Sequence, residues 1–79
     1  MTPLDEYIVN LLAAFVHLRI FTFENYFGRI TDVDSFVEKV SDRVPHLDYL
    51  SMCYLNYCYK RVGGELVNCH PKEFPRYIF

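Results

Sequence analysis

The segment that most constrains this chain is HLDYLSMCYLNYCYKRV, residues 46 to 62. Pro45 precedes it, Gly63-Gly64 follows it, and neither residue type occurs inside it. A proline drives the residue before it away from helical dihedrals, and a glycine readily adopts the left-handed conformation that closes a helix. An unbroken run between two such stops reads as one long helix. At about 100° per residue, Leu47, Leu50, Tyr54, Tyr57 and Cys58 gather on one side of it, and Met52, Leu55, Tyr59 and Val62 form a second apolar strip. A helix apolar over most of its circumference is enclosed by protein on several sides.

The segments before it predict further helices. Thr2-Pro3-Leu4-Asp5 has a cap, a proline at the first helical position and an acid at the positive end of the dipole. Leu4, Tyr7, Ile8, Leu11, Leu12, Phe15 and Leu18 then recur at spacings of three and four, which predicts a wide buried face opposite Glu6, Asn10, Ala13 and His17. Residues 19 to 30, RIFTFENYFGRI, fit either a short hairpin turning at Glu24-Asn25 or a short helix capped by Thr22 and ending at Gly28. The helix is preferred, because an isolated two-stranded hairpin is marginal. Thr31 is the expected cap of the next helix, whose stripe is Val33, Phe36, Val37, Val40 and Val44 and whose end is set by Pro45. In the tail, Pro71 and Pro75 exclude a long helix, and Glu65 to Cys69 reads as a short strand or turn.

These elements predict an all-α fold, a single small domain over residues 1–79 with three to four helices and an irregular C-terminal tail. The alternative is an α+β fold with a short hairpin at residues 19–30. The expected core is Phe15, Phe36, Val40, Leu50 and Tyr54. With 79 residues, 52% of them apolar, and seven Tyr and seven Phe, the chain has the means for one core and no more.

Composition narrows function by exclusion. A net charge of −2, with neither sign gathered in a block, makes nucleic acid an unfavoured partner. The apolar stretch Ile8 to Val16 is about half of what a membrane span requires, and Asp5 and Glu6 stand where a secretory leader would be basic. Three cysteines, an odd number, do not suggest a disulfide framework, so the expected setting is intracellular, cytoplasmic or nuclear.

Cys53, Cys58, Cys69 and His70, with His46 in reserve, are the ligand types of a zinc site. In a helix, however, residues 53 and 58 would point about 140° apart, and no C-x2-C pair occurs. No metal or cofactor is therefore expected. Cys69 beside His70 suggests a thiol and base, but adjacent side chains diverge and no oxyanion turn is recognisable, so catalysis is not expected either. Asp32, Asp34, Asp5 and Glu6 sit at helix starts, where the dipole accounts for them.

The excess of tyrosine remains, and tyrosine is favoured where proteins meet. The expectation is a non-catalytic protein-interaction or assembly module, such as a small viral or regulatory adaptor or inhibitor. It would contact a protein partner or a second copy in a homodimer through Met52, Tyr57, Tyr59, Arg61, Tyr77 and Phe79. A zinc module and a nucleic-acid-binding helical domain are the alternatives.

Overall fold

The structure is a computed structural model and describes residues 3–24, 30–52 and 56–75. In chain order these residues form α1 (Pro3–Ala14), β1 (Ile20–Phe23), α2 (Val33–Arg43), β2 (Tyr49–Met52), β3 (Tyr57–Val62), β4 (Glu65–Asn68) and a short 3₁₀ helix (Pro71–Glu73). The strands make one mixed sheet in the order β1-β2-β3-β4. Strands β1 and β2 are parallel, joined by a crossover that contains α2, while β3 and β4 follow β2 as antiparallel neighbours. The fold is α+β, and the expected all-α bundle of three to four helices is wrong.

The error lies mainly in residues 46 to 62. Gly63 and Gly64 both have positive φ, +59° and +86°, and Val62 pairs with Glu65 across them. A left-handed helix cap requires one such residue, whereas two in succession make the tight turn whose twist matches a β-hairpin. The two glycines turn a strand, so the tyrosine-rich fourth helix does not exist over residues 49–52 and 57–62. Register then sorts the side chains by twos. Leu50, Met52, Tyr59 and Leu66 join the core cluster shared with the helices, and Cys58 belongs to a second cluster with Cys69 and Phe74.

Residues 20–23 are also strand and not the preferred helix. Ile20 to Phe23 pair with Tyr49 to Met52, so the partner that makes this strand stable is distant in sequence. Residues 25–29, including the supposed turn at Asn25 and stop at Gly28, lie outside the described residues.

Helix α2 follows its sequence pattern, with Phe36, Val40 and Val44 fully buried and Val44, just before Pro45, as its C-cap. Its N-cap is Asp32 instead of Thr31: the Asp32 carboxylate accepts from the Ser35 N–H at 3.0 Å. Helix α1 is rotated relative to expectation. Asp5, Val9 and Leu12 are buried, while Tyr7, Leu11 and Phe15 face out. Val9 and Leu12 pack into the core cluster with α2, and Arg43 at the end of α2 donates to the Glu6 carboxylate at 3.1 Å and to the Asn10 side-chain oxygen on the neighbouring side of α1. Of the expected core, Phe36, Val40 and Leu50 are inside, Phe15 is not, and Tyr54 lies outside the described residues.

Helix ends need acceptors satisfied, and two side chains do this across the molecule. His46 donates from Nε2 to the Leu12 carbonyl at 3.0 Å, closing the end of α1. Arg61 on β3 reaches the end of α2, donating to the carbonyls of Ser41 (3.0 Å) and Val44 (2.7 Å). The same guanidinium donates to Leu47 O and Gly64 O, both at 3.0 Å. Burial lowers the pKa of this group and the nearby Asp48 partly offsets that, but an arginine stays charged. Arg61→Ala should therefore destabilise the fold by about 3 kcal/mol, and Arg61→Lys by about 1 to 2 kcal/mol, since an ammonium cannot present the planar fork. Urea unfolding followed by far-UV circular dichroism measures both, and equal stability of wild type and Arg61→Ala would refute this role.

Candidate functional site

The residues expected to meet a partner are scattered by the fold. Met52 is fully buried and Tyr59 almost so, each facing the helices from the sheet. Tyr59 hydrogen-bonds with the Asn68 side chain, and burial, followed by the charge of Asp34, pushes its hydroxyl pKa up. Arg61 is engaged by carbonyls as described. Tyr57 is exposed at the start of β3. Tyr77 and Phe79 lie outside the described residues.

The cysteine and histidine set is also divided. Cys58 and Cys69 face each other across the β3–β4 pair, with the Cys69 N–H donating to Cys58 O at 2.9 Å. Both thiols are buried beneath Phe74, and burial is the main reason their pKa values are raised, the opposite of an activated thiolate. The Cys58 thiol hydrogen-bonds with Ser51 on the next strand. His70 is exposed and serves as a cap: its Nδ1 accepts from the Lys72 N–H at 3.1 Å, and the Glu73 carboxylate accepts from the His70 N–H at 2.9 Å. The sequence neighbours Cys69 and His70 thus take separate structural tasks. Among the described residues no three His, Cys, Asp or Glu side chains are grouped to hold a metal ion, and Cys53 lies outside them.

A hollow of about 400 Å³ lies between α2 and β4, where Asp34, Glu38, Asp42 and Glu65 line it beside Tyr59. Asp34, Glu38 and Asp42 are on the water-facing side of α2 and Glu65 is exposed at the start of β4, which explains them without a ligand.

The surface that stands out is on α1. Tyr7 is 64% exposed, Leu11 40%, Phe15 55% and Val16 60%, a contiguous run of large apolar side chains. Tyr7, Leu11 and Phe15 are four apart and form one stripe, roughly opposite the buried Val9 on the helical wheel. Beside the stripe is a groove of about 610 Å³ lined by Leu11, Ala14, Phe15, Val16, Leu18 and Phe21, with His17 at its edge. Helix α1 positions the stripe, the turn after it positions Val16 and Leu18, and β1 contributes Phe21 as the floor. Hydrophobic spacing alone places Leu11 and Phe15 in the core, whereas both are exposed. The signal that could have redirected it was Arg43, whose counterparts Glu6 and Asn10 mark the side of α1 turned toward α2.

Arg19, Arg43 and Lys60 each pair with a carboxylate, Asp48, Glu6 and Glu73 respectively. No helix among the described residues is long and apolar enough to cross a membrane. No family model matches the chain, and comparison with curated proteins and with solved structures gives no match.

The Lys60–Glu73 pair fastens the 3₁₀ helix over the cysteine cluster. Lys60 and the His70 N–H both hold the Glu73 carboxyl below its ordinary pKa. A depressed carboxylate contributes stability above its unfolded pKa and loses it as pH falls through the folded value. The His70 amide proton resonance should therefore titrate with a midpoint below the ordinary glutamate value, and Glu73→Gln should abolish that titration. Two-dimensional NMR on both proteins checks this, and a midpoint at or above the ordinary value would contradict it.

Proposed function

We propose that this chain is a non-catalytic protein-interaction module whose contact surface is the outer stripe of α1 and the groove beside it. The observation that carries the reading is the exposure of Tyr7, Leu11, Phe15 and Val16 together. Single exposed apolar residues are ordinary, but a contiguous cluster of large ones over an apolar groove is what protein contact sites present. Water gains by losing contact with such a surface, and an aromatic residue at its centre supplies large area at small loss of conformational freedom.

The reading replaces the aromatic fourth helix with α1 as the contacting element. A small regulatory adaptor or inhibitor, intracellular as the odd cysteine count suggests, remains the fitting kind of protein. The ion-paired Arg19, Arg43 and Lys60, together with the acidic net charge, favour a protein partner over a nucleic acid.

The test is a comparison of tagged wild type with Leu11→Glu and Phe15→Glu in affinity capture from the source cells, followed by mass spectrometry. Both side chains are exposed, so each substitution should change stability by only about 0.5 kcal/mol while removing the bound protein. Identical captured sets for all three proteins, each folded, would sink the proposal.

A further inference from the structure

We infer that Cys58 and Cys69 form a thiol–disulfide modification site, in which a small disulfide such as oxidised glutathione links them across β3 and the end of β4 once the 3₁₀ helix lifts. Strand register supplies the geometry. The antiparallel pairing runs from Val62↔Glu65 to Tyr59↔Asn68, and its next step sets Cys58 opposite Cys69, where the Cys69 N–H donates to Cys58 O at 2.9 Å. Directly opposed residues of a hydrogen-bonded pair have Cα atoms about 5.5 Å apart, which is also the usual separation in a disulfide. Side chains at such positions leave the sheet on the same face, so the two sulfurs meet with little movement of the backbone.

The surroundings give the two thiols different parts. Both are reduced and share one cluster with Phe74, against which Ile20 and Tyr49 pack. Cys58 is 1% exposed and hydrogen-bonds with Ser51, whereas Cys69 is 9% exposed and has the Lys60 ammonium near enough to offset part of its upward pKa shift. Cys69 is therefore the attacking thiol and Cys58 the resolving one. Their cover is a single turn, Pro71–Glu73, held by the Lys60–Glu73 ion pair and by the edge contact of Phe74 with Tyr49, ring centres 5.5 Å apart. An element held by so few contacts opens at far smaller cost than the sheet beneath it. Closed, it keeps both thiols dry and protonated; open, it admits water and the oxidant.

The exchange balances. The Cys69 thiolate attacks one sulfur of oxidised glutathione, which forms a mixed disulfide and expels one glutathione thiolate; the Cys58 thiolate then attacks the Cys69 sulfur, closes the protein disulfide and expels the second. Two electrons pass from the cysteine pair to glutathione disulfide, and the two thiol protons finish on the two glutathione molecules. Excess dithiol reverses both steps.

The test incubates the reduced full chain with oxidised glutathione under native conditions, quenches with acid, alkylates the remaining thiols and maps the peptides by mass spectrometry. Digestion with trypsin and chymotrypsin separates Cys53 from Cys58. The main product should be the Cys58–Cys69 link, reversed by dithiothreitol, and Cys58→Ser should stop at a mixed disulfide on Cys69. Glu73→Gln, which releases the cover, should speed the link about two- to fivefold. Arg61→Lys, which weakens the fold as a whole without touching the cover, should leave the rate unchanged; a route through global unfolding would instead be accelerated by about 5- to 30-fold. Far-UV circular dichroism confirms that each variant is folded. The inference is overturned by links that use Cys53 in place of either partner, by a mixed disulfide that persists in the wild type, or by reaction only after urea unfolding. A rate raised by Arg61→Lys, or unmoved by Glu73→Gln, would overturn it equally.

Discussion

One guanidinium ties the layers of this protein together. The free carbonyls at the end of α2 carry partial negative charge and have no partner within their own helix. Arg61 supplies a cation with five donors in a rigid fork, from the strand that lies beneath, and also fixes the Leu47 and Gly64 carbonyls. Crossover, helix and hairpin are thereby set in one relation. The Ser41 hydroxyl adds a second tie by accepting from the Leu66 N–H at 3.0 Å, joining α2 to β4. With α2 fixed, Arg43 at its end reaches Glu6 and Asn10, on the flank of α1 beside the buried Val9 and Leu12. The side of α1 opposite Val9 and Leu12 is left as the exposed stripe.

The sequence was most legible where one face is wet and one is dry. Helix α2 meets that condition: Phe36, Val40 and Val44 are buried while Asp34, Glu38 and Asp42 line an open hollow, so the period of 3.6 survives and Pro45 marks the stop. The sheet does not meet it. The helices cover one face, and Phe74 with its 3₁₀ helix covers part of the other, so β2 and β3 carry apolar residues on both sides and the alternation that identifies a strand is blurred. Tyr49, Leu50, Tyr57, Cys58 and Tyr59 then resemble a helix apolar all round. The decisive local sign was the double glycine, which is more specific for a tight hairpin turn than for a helix end.

The candidate surface was hidden for a related reason. Helix α1 has two apolar sides, Val9 with Leu12 and Tyr7 with Leu11 and Phe15, and hydrophobic spacing alone ranks them equally. Packing against α2 and the sheet, which are distant in sequence, buries Val9 and Leu12, and no local pattern contains that contact. The thiols illustrate the converse. Their proximity is not legible in helical spacing, because it arises from strand register across Gly63-Gly64.

The parallel pairing of β1 with β2 gives synthesis of this chain a definite chronology. The β3–β4 hairpin joins neighbours and can close as soon as both strands exist, whereas Ile20 to Phe23 must await Tyr49 to Met52, and with them the whole of α2. During that interval the emerging N-terminal third carries two oily helix faces and an unpaired aromatic strand, none yet screened by the sheet. The nascent chain therefore passes through its stickiest stage before β2 exists, and β3, with Arg61, then secures the elements that precede it.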